Sequence, residues 1–201
     1  SGLAAGSYSF GERWVAGLGV YSTTGFGVTW DTADMKPLSE SNQDIRWSSR
    51  VSVITIAPAV AFKLNHLVSL GASLCCNFGR FALDRYAGNF LAPIPDIPYV
   101  QPIDLGQYEE SSTGRGISAV VGILFRPNDR ISVGISFKTA DAIKFEGTAK
   151  VQGFTALSTA LQREISGTSA LEKKITWPEW LGLGMAIRPI DRLTLTADLH
   201  W

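Results

Sequence analysis

Two histidines, two cysteines and one short Gly-Arg-Gly run are the residues from which any covalent chemistry would have to be built. His66 stands in a predicted turn and His200 next to the last residue, and neither lies in a G-x-S-x-G or H-E-x-x-H frame. Cys75 and Cys76 are adjacent, and neighbours on a strand point to opposite faces, so a normal disulfide and a C-x-x-C metal half-site are both excluded. Gly114-Arg115-Gly116 is too short for a phosphate loop and precedes a strand, not a helix. No nucleophile finds a base and no ligand set forms, so the sequence points away from an enzyme and calls for no cofactor and no metal.

The other candidates are apolar, and they lie in long insertions. Phe81, Leu83, Tyr86, Phe90, Leu91, Ile94, Ile97 and Tyr99 crowd a segment running from Phe81 to Ser112, and Phe154, Leu157 and Leu161 a second one from Gln152 to Glu172. Loops of this length are uncommon unless functional or disordered, and the apolar content favours the first. Two uses are open: the side chains line a capture site for a hydrophobic ligand, or they pack the loops together over the body of the fold. A ligand carboxylate would want a cation, for which Arg80, Arg85 and Arg163 are the candidates. In the second insertion Leu157, Leu161 and Ile165 recur at four-residue spacing and suggest a short amphipathic helix.

The elements that must hold these loops are hairpins. Gly116 to Phe137 reads GISAVVGILFRPNDRISVGISF, two alternating strands around a polar turn, and the phrase returns at Ala59–Leu74 and Leu183–Leu199. Ile117, Ala119, Val121, Ile123 and Phe125 share one face, as do Ile131, Val133, Ile135 and Phe137 in a strand drawn from Ile131 to about Val151. A further strand runs from Lys174 to Arg188, Pro58 predicts a local distortion in the strand Arg46–Phe62, and Thr32–Gln43 reads as an exposed loop.

The turns near Asn65, Asn128 and Ile190 are 63 and 62 residues apart, so short turns alternate with long loops. Strands that alternate up and down then put every short turn at one end and every long loop at the other. About eleven residues at about 3.4 Å each, tilted about 40°, cover roughly 28 Å, which matches a bilayer's apolar band. Hydrophobic residues make up 45% of the 201 and charged ones 18%, while the second face of the strands is mostly small (Gly, Ser, Thr, Ala, with a few charges) rather than charged throughout. A soluble sandwich would carry more Lys and Glu there. The reading is all-β: an antiparallel transmembrane β-barrel with about seven strands present, residues 1–201 forming part of one domain. The six tryptophans fall near predicted strand ends, as interfacial girdles do. Net charge is zero and no basic stripe exists, which excludes the usual electrostatic footprint of nucleic-acid binding.

The phrases RWVAGLGVYSTTGFGVTWD, ITIAPAVAFKLNHLVSLGASL, GRGISAVVGILFRPNDRISVGISFKT with FEGTAKV, and ITWPEWLGLGMAIRPIDRLTLTADLHW, in that order, resemble the FadL/TodX family of outer-membrane transporters for hydrophobic compounds. The resemblance implies a monomeric fourteen-stranded barrel in the outer membrane of a Gram-negative bacterium, in contact with its lipid and lipopolysaccharide. It also implies a hatch in the lumen, a greasy extracellular groove and a lateral opening in the wall. The implied substrates are long-chain fatty acids or small aromatic hydrocarbons, taken up by diffusion without enzyme chemistry. The hatch and the last strands are expected outside residues 1–201. An outer-membrane structural or adhesion barrel, whose apolar loops bind a partner, is the alternative.

Overall fold

The computed structural model describes residues 2–38, 44–92, 101–152 and 166–201. In chain order the elements are β1 (Leu3–Phe10), β2 (Trp14–Trp30), a one-turn helix α1 (Thr32–Met35) with a 3-10 turn Lys36–Leu38, β3 (Trp47–Lys63), β4 (Val68–Tyr86), β5 (Asn89–Ala92), β6 (Gln101–Asp104), β7 (Gln107–Asn128), β8 (Ile131–Lys138), β9 (Asp141–Gln152), β10 (Ser166–Trp177), β11 (Trp180–Ile190) and β12 (Leu193–His200). One antiparallel sheet runs β1-β2-β3-β4-β7-β8-β11-β12, and β9 and β10 continue it where β9 pairs with β7 and β10 with β9. β5 and β6 make a separate two-stranded ribbon. No described helix is long and apolar enough to cross a membrane, so any crossing is made by strands.

The pleat sorts the side chains. Ile56, Cys76 and Ile117 lie side by side on three neighbouring strands, and so do Val60, Ala72 and Val121. This face is open: Ile117 is 67% exposed and Leu74 48%. One residue along, Thr55, Asn77, Cys75 and Ser118 are buried on the other face. The apolar face is therefore the lipid side and the small, polar face the lumenal side, as the alternation predicts. On the lumenal side Thr23 Oγ1 lies 3.2 Å from Thr55 Oγ1, Thr55 donates to Asn77 Oδ1, and Asn77 Nδ2 donates to Ser118 Oγ at 3.3 Å. This chain of polar contacts ties β2, β3, β4 and β7. Asn77→Ala removes its centre and should lower stability by about 1–3 kcal/mol, read as an earlier urea-induced loss of the folded band in semi-native electrophoresis.

The short turns share a device. Asn65 Oδ1 accepts from the Leu67 and Val68 amides at 2.8 Å each, and Asn128 Oδ1 from the Arg130 and Ile131 amides at 2.9 Å each. An asparagine that satisfies the backbone two and three residues on closes a hairpin without a longer loop. The third turn carries Ile190 at the matching place, has no amide acceptor there, and shifts register between Ile187 and Ile190. Pro58 does distort its strand: the β3–β4 ladder lapses between Ile56 and Ala59 and resumes in the same register. Ser73 Oγ donates to the Pro58 carbonyl at 3.0 Å across that gap.

Several boundaries differ from the sequence reading. β4 runs on to Tyr86 and β7 starts at Gln107, so Phe81–Tyr86 and Gln107–Ser112 are strand, not loop. β10 begins at Ser166, not Lys174; the helix expected around Leu157–Ile165 lies outside the described residues. Thr32–Leu38 forms short helical turns, with Asp31 Oδ1 capping α1 by accepting from the Ala33 amide at 2.9 Å. The single strand expected from Ile131 to Val151 is two, because the chain bends at Thr139–Ala140, and its partner bends at Pro178–Glu179 between β10 and β11. Phe137 and Trp177 thereby end up on opposite faces of the sheet. The tryptophans divide likewise. Trp14 packs on Phe62 at 4.5 Å beside Phe10 on the lipid side near the short turns. A register shift between Ser22 and Thr24 carries Trp30 to the lumenal side opposite Trp47, so the girdle expected at the loop end is not made by these two.

Candidate functional site

Where the wall rises past the lipid-facing apolar rows, β3, β4, β7, β9 and β10 enclose an apolar cluster on their lumenal face. Phe145, Ile143 and Val53 are buried, and Phe81, Ile175 and Trp177 pack against them. Two glycines make room. A Cβ on Gly114 would lie 2.8 Å from Ile143 and Phe145, and one on Gly79 2.6 Å from the Phe145 ring. Phe145 thus lies across the bare backbones of two neighbouring strands, with its ring edge-on to Phe81 at 6.5 Å. The bend at Thr139–Ala140 is what aims it: β8 puts odd-numbered residues toward lipid, and β9 puts Ile143 and Phe145 toward the lumen.

A buried ion pair closes the top of the cluster. Lys173 of β10 donates to Glu110 Oε1 of β7, reaching across the intervening β9. Gly147 and Ala149 stand on the part of β9 that the lysine crosses. A Cβ on Gly147 would come within 2.0 Å of the Ser111 carbonyl, so the glycine is what lets β7 and β9 lie this close. The Lys173 ammonium also sits 3.0 Å from the centroid of the Phe81 ring, a cation–π contact inside a desolvated site. Tyr108 donates to Glu110 Oε2 at 3.3 Å, and the phenol is pushed above its ordinary value, first by burial and then by that carboxylate. Arg85 lies over the Tyr108 ring at 4.8 Å and donates to the Tyr86 carbonyl. Beyond it, buried Gln107 accepts from the Arg46 amide and donates to the Arg46 and Arg85 carbonyls, pinning the lead-in of β3 over the ends of β4 and β7.

Of the residues singled out from the sequence, Phe81 and Leu83 face the lumen from β4, Tyr86 is buried at its end, and Arg85 stands at the rim. Arg80 faces away from the lumen, opposite Ser52 and Thr113 on the lipid side; β4 continues unbroken, so position 80 alternates outward. It cannot meet a ligand carboxylate inside the barrel from there. Phe90 and Leu91 fall on β5. Ile94, Ile97, Tyr99, Phe154, Leu157, Leu161 and Arg163 lie outside the described residues. Ile143, Phe145, Lys173, Ile175, Trp177 and Glu110 were missed. The sequence signal for them is slight: FEGTAKV and LEKKITW alternate well, but only the bend tells which face is which.

A family model described as outer membrane protein transport protein (OMPP1/FadL/TodX) matches residues 3–201. The chain belongs to this family. The solved structure of a Pseudomonas aeruginosa FadL homologue superposes with a TM-score of 0.75 at 16% identity, covering 99% of this chain and 47% of that one. The Ralstonia pickettii toluene transporter TbuX gives 0.73 at 16% identity, covering 98% and 53%. The Pseudomonas putida toluene transporter TodX gives 0.74 at 13%, again covering 98% and 53%. The chain spans about half the length of these structures. No curated protein matches the chain by sequence. Family membership puts the barrel in the outer membrane; in such barrels the short turns lie at the periplasmic end, which sets the lumenal cluster toward the outside.

Proposed function

We propose that the whole protein is an outer-membrane uptake channel for small uncharged hydrophobic molecules, with aromatic hydrocarbons favoured over fatty acids. The observation that carries this reading is the lumenal cluster of Phe81, Phe145 and Trp177. The one described cation touching it, Lys173, is already neutralised by Glu110. An aromatic ring finds apolar edges and faces there, at about 25 cal/mol per Å² buried. A fatty-acid carboxylate finds no free partner in that cluster: Lys138, the next lumenal cation beneath Trp177, is 4.0 Å from Asp141, and Arg85 stands off at the rim. Phe90, Leu91, Ile94, Ile97, Tyr99, Phe154, Leu157 and Leu161 make the first capture surface in this scheme, and the cluster is the next station inward.

Release sideways through the wall fits one feature of the sheet. The β7–β9 ladder ends at Arg115 with Lys144, and the β7–β8 ladder begins at Val120 with Lys138. Gly116–Ser118, paired with β4 on one side, therefore has no ladder partner on its β8/β9 side, and this seam is where a ligand would leave toward the bilayer.

The test is uptake of labelled toluene and labelled oleate by the full-length protein in liposomes. Toluene should enter and oleate should not. Phe81→Ala should cut toluene uptake roughly tenfold through lost aromatic contact with the folded band intact in electrophoresis. Oleate entry without toluene entry would overturn the substrate assignment, and entry of neither would overturn the channel itself.

A further inference from the structure

The outward face changes character abruptly at one level of the sheet. Ile56, Cys76 and Ile117 form a lipid-facing row, and one row higher the ladder reads Ile54, Phe78, Arg115, Lys144, Lys174 across five neighbouring strands. The next row is Ser52, Arg80, Thr113, Glu146, Glu172. Three cations stand directly opposite one another, an arrangement that destabilises a sheet unless something answers the charge. Lys144 is answered, at 3.0 Å from both Glu146 and Glu172. Arg80, Arg115 and Lys174 make no ion pair among the described residues.

Arg80 and Arg115 flank an outward groove of about 820 Å³, with Lys144 and its ion-pair partner Glu146 across from them, so that the two arginines carry the groove's unanswered charge. Its lower wall is Ile54 and Phe78, which belong to the apolar face. The groove is thus apolar where it meets the bilayer core and cationic where it meets the head groups. Two guanidinium groups on adjacent strands suit the paired oxygens of a phosphate better than a point charge does.

We infer that this groove is a binding site for a phosphorylated glycolipid of the outer leaflet. The phosphate lies between Arg80 and Arg115, and an acyl chain runs down over Phe78 and Ile54, while Lys174 stands one strand beyond Lys144 in the same row. The site faces away from the lumen and stands whether or not the protein carries any substrate. It also gives Arg80 a role that a lumenal ligand does not.

The experiment titrates detergent-purified full-length protein with lipid A, with the same lipid after removal of its phosphates, and with inorganic phosphate. The readout is the shift in the heat-induced unfolding midpoint. Lipid A should raise the midpoint, and the other two should not. Arg80→Gln with Arg115→Gln should weaken lipid A binding at least tenfold while toluene uptake stays unchanged. Arg126→Gln with Arg130→Gln, at the periplasmic turn, controls for charge alone and should leave binding as it is. Equal binding of the dephosphorylated lipid, equal stabilisation by inorganic phosphate, an unchanged affinity in the Arg80/Arg115 variant, or an equal loss in the control would each overturn the inference.

Discussion

Glu110→Ala is expected to cost about 3–5 kcal/mol of barrel stability, because it leaves the Lys173 ammonium buried with no counter-charge. The side chain of Glu110 is 7% exposed and that of Lys173 24%, so water can replace little of what the carboxylate supplies. The aromatic ring beneath the lysine softens the loss without removing it, since a desolvated cation–π contact contributes on the order of 2 kcal/mol, less than the cost of the unpaired charge. Lys173→Met in the same background should recover most of the stability, because an uncharged side chain of similar length fills the space over Phe81 and Phe145. The double-mutant cycle, read by urea titration of the folded band, separates the pair from mere packing. If Glu110→Ala unfolds at the same urea concentration as the parent, the ion pair does not hold β10 to β7.

That pair shows why parts of the molecule were legible in the sequence and parts were not. The hairpin Gly116–Phe137 could be read because its outward residues are mostly Ile, Val and Phe while Gly and Ser predominate on the inward face. Above the band the outward positions turn polar, at Arg80, Arg115 and Lys144, and the contrast that marks a strand fades. Phe81 and Leu83 then look like greasy loop residues although β4 continues through them. Parity is lost twice more, at the register shift beside Thr23 and at the bend Thr139–Ala140, where one residue more or fewer reverses which face is the lumen. The contact between Glu110 and Lys173 skips a whole strand, β9, that lies between them. No local pattern encodes an approach of that kind.

The same bend sets the second large effect, on release. A staple across the β7 seam should abolish uptake, at least tenfold, while leaving capture at the lumenal cluster intact. Extending the β7–β9 register past Arg115 and Lys144 brings Ile117 opposite Ala142, both on the lipid side. Gly116 and Ala142 are already close: a Cβ on Gly116 would lie 2.7 Å from the Ala142 carbonyl, so the seam is shut by contact and not by ladder hydrogen bonds. Parting it breaks no bond of the sheet, whereas a disulfide between Ile117→Cys and Ala142→Cys would have to be reduced first. Cys76 sits directly opposite Ile117 and would capture the new thiol, so the staple belongs in a Cys75→Ala, Cys76→Ala background. Oxidised protein should bind toluene and fail to pass it to the liposome membrane, and dithiothreitol should restore passage. Equal transport by the oxidised and reduced forms would mean that the ligand leaves along the lumen, and that the missing ladder bonds at Gly116–Ser118 only relieve the crowding of three strands into one bend.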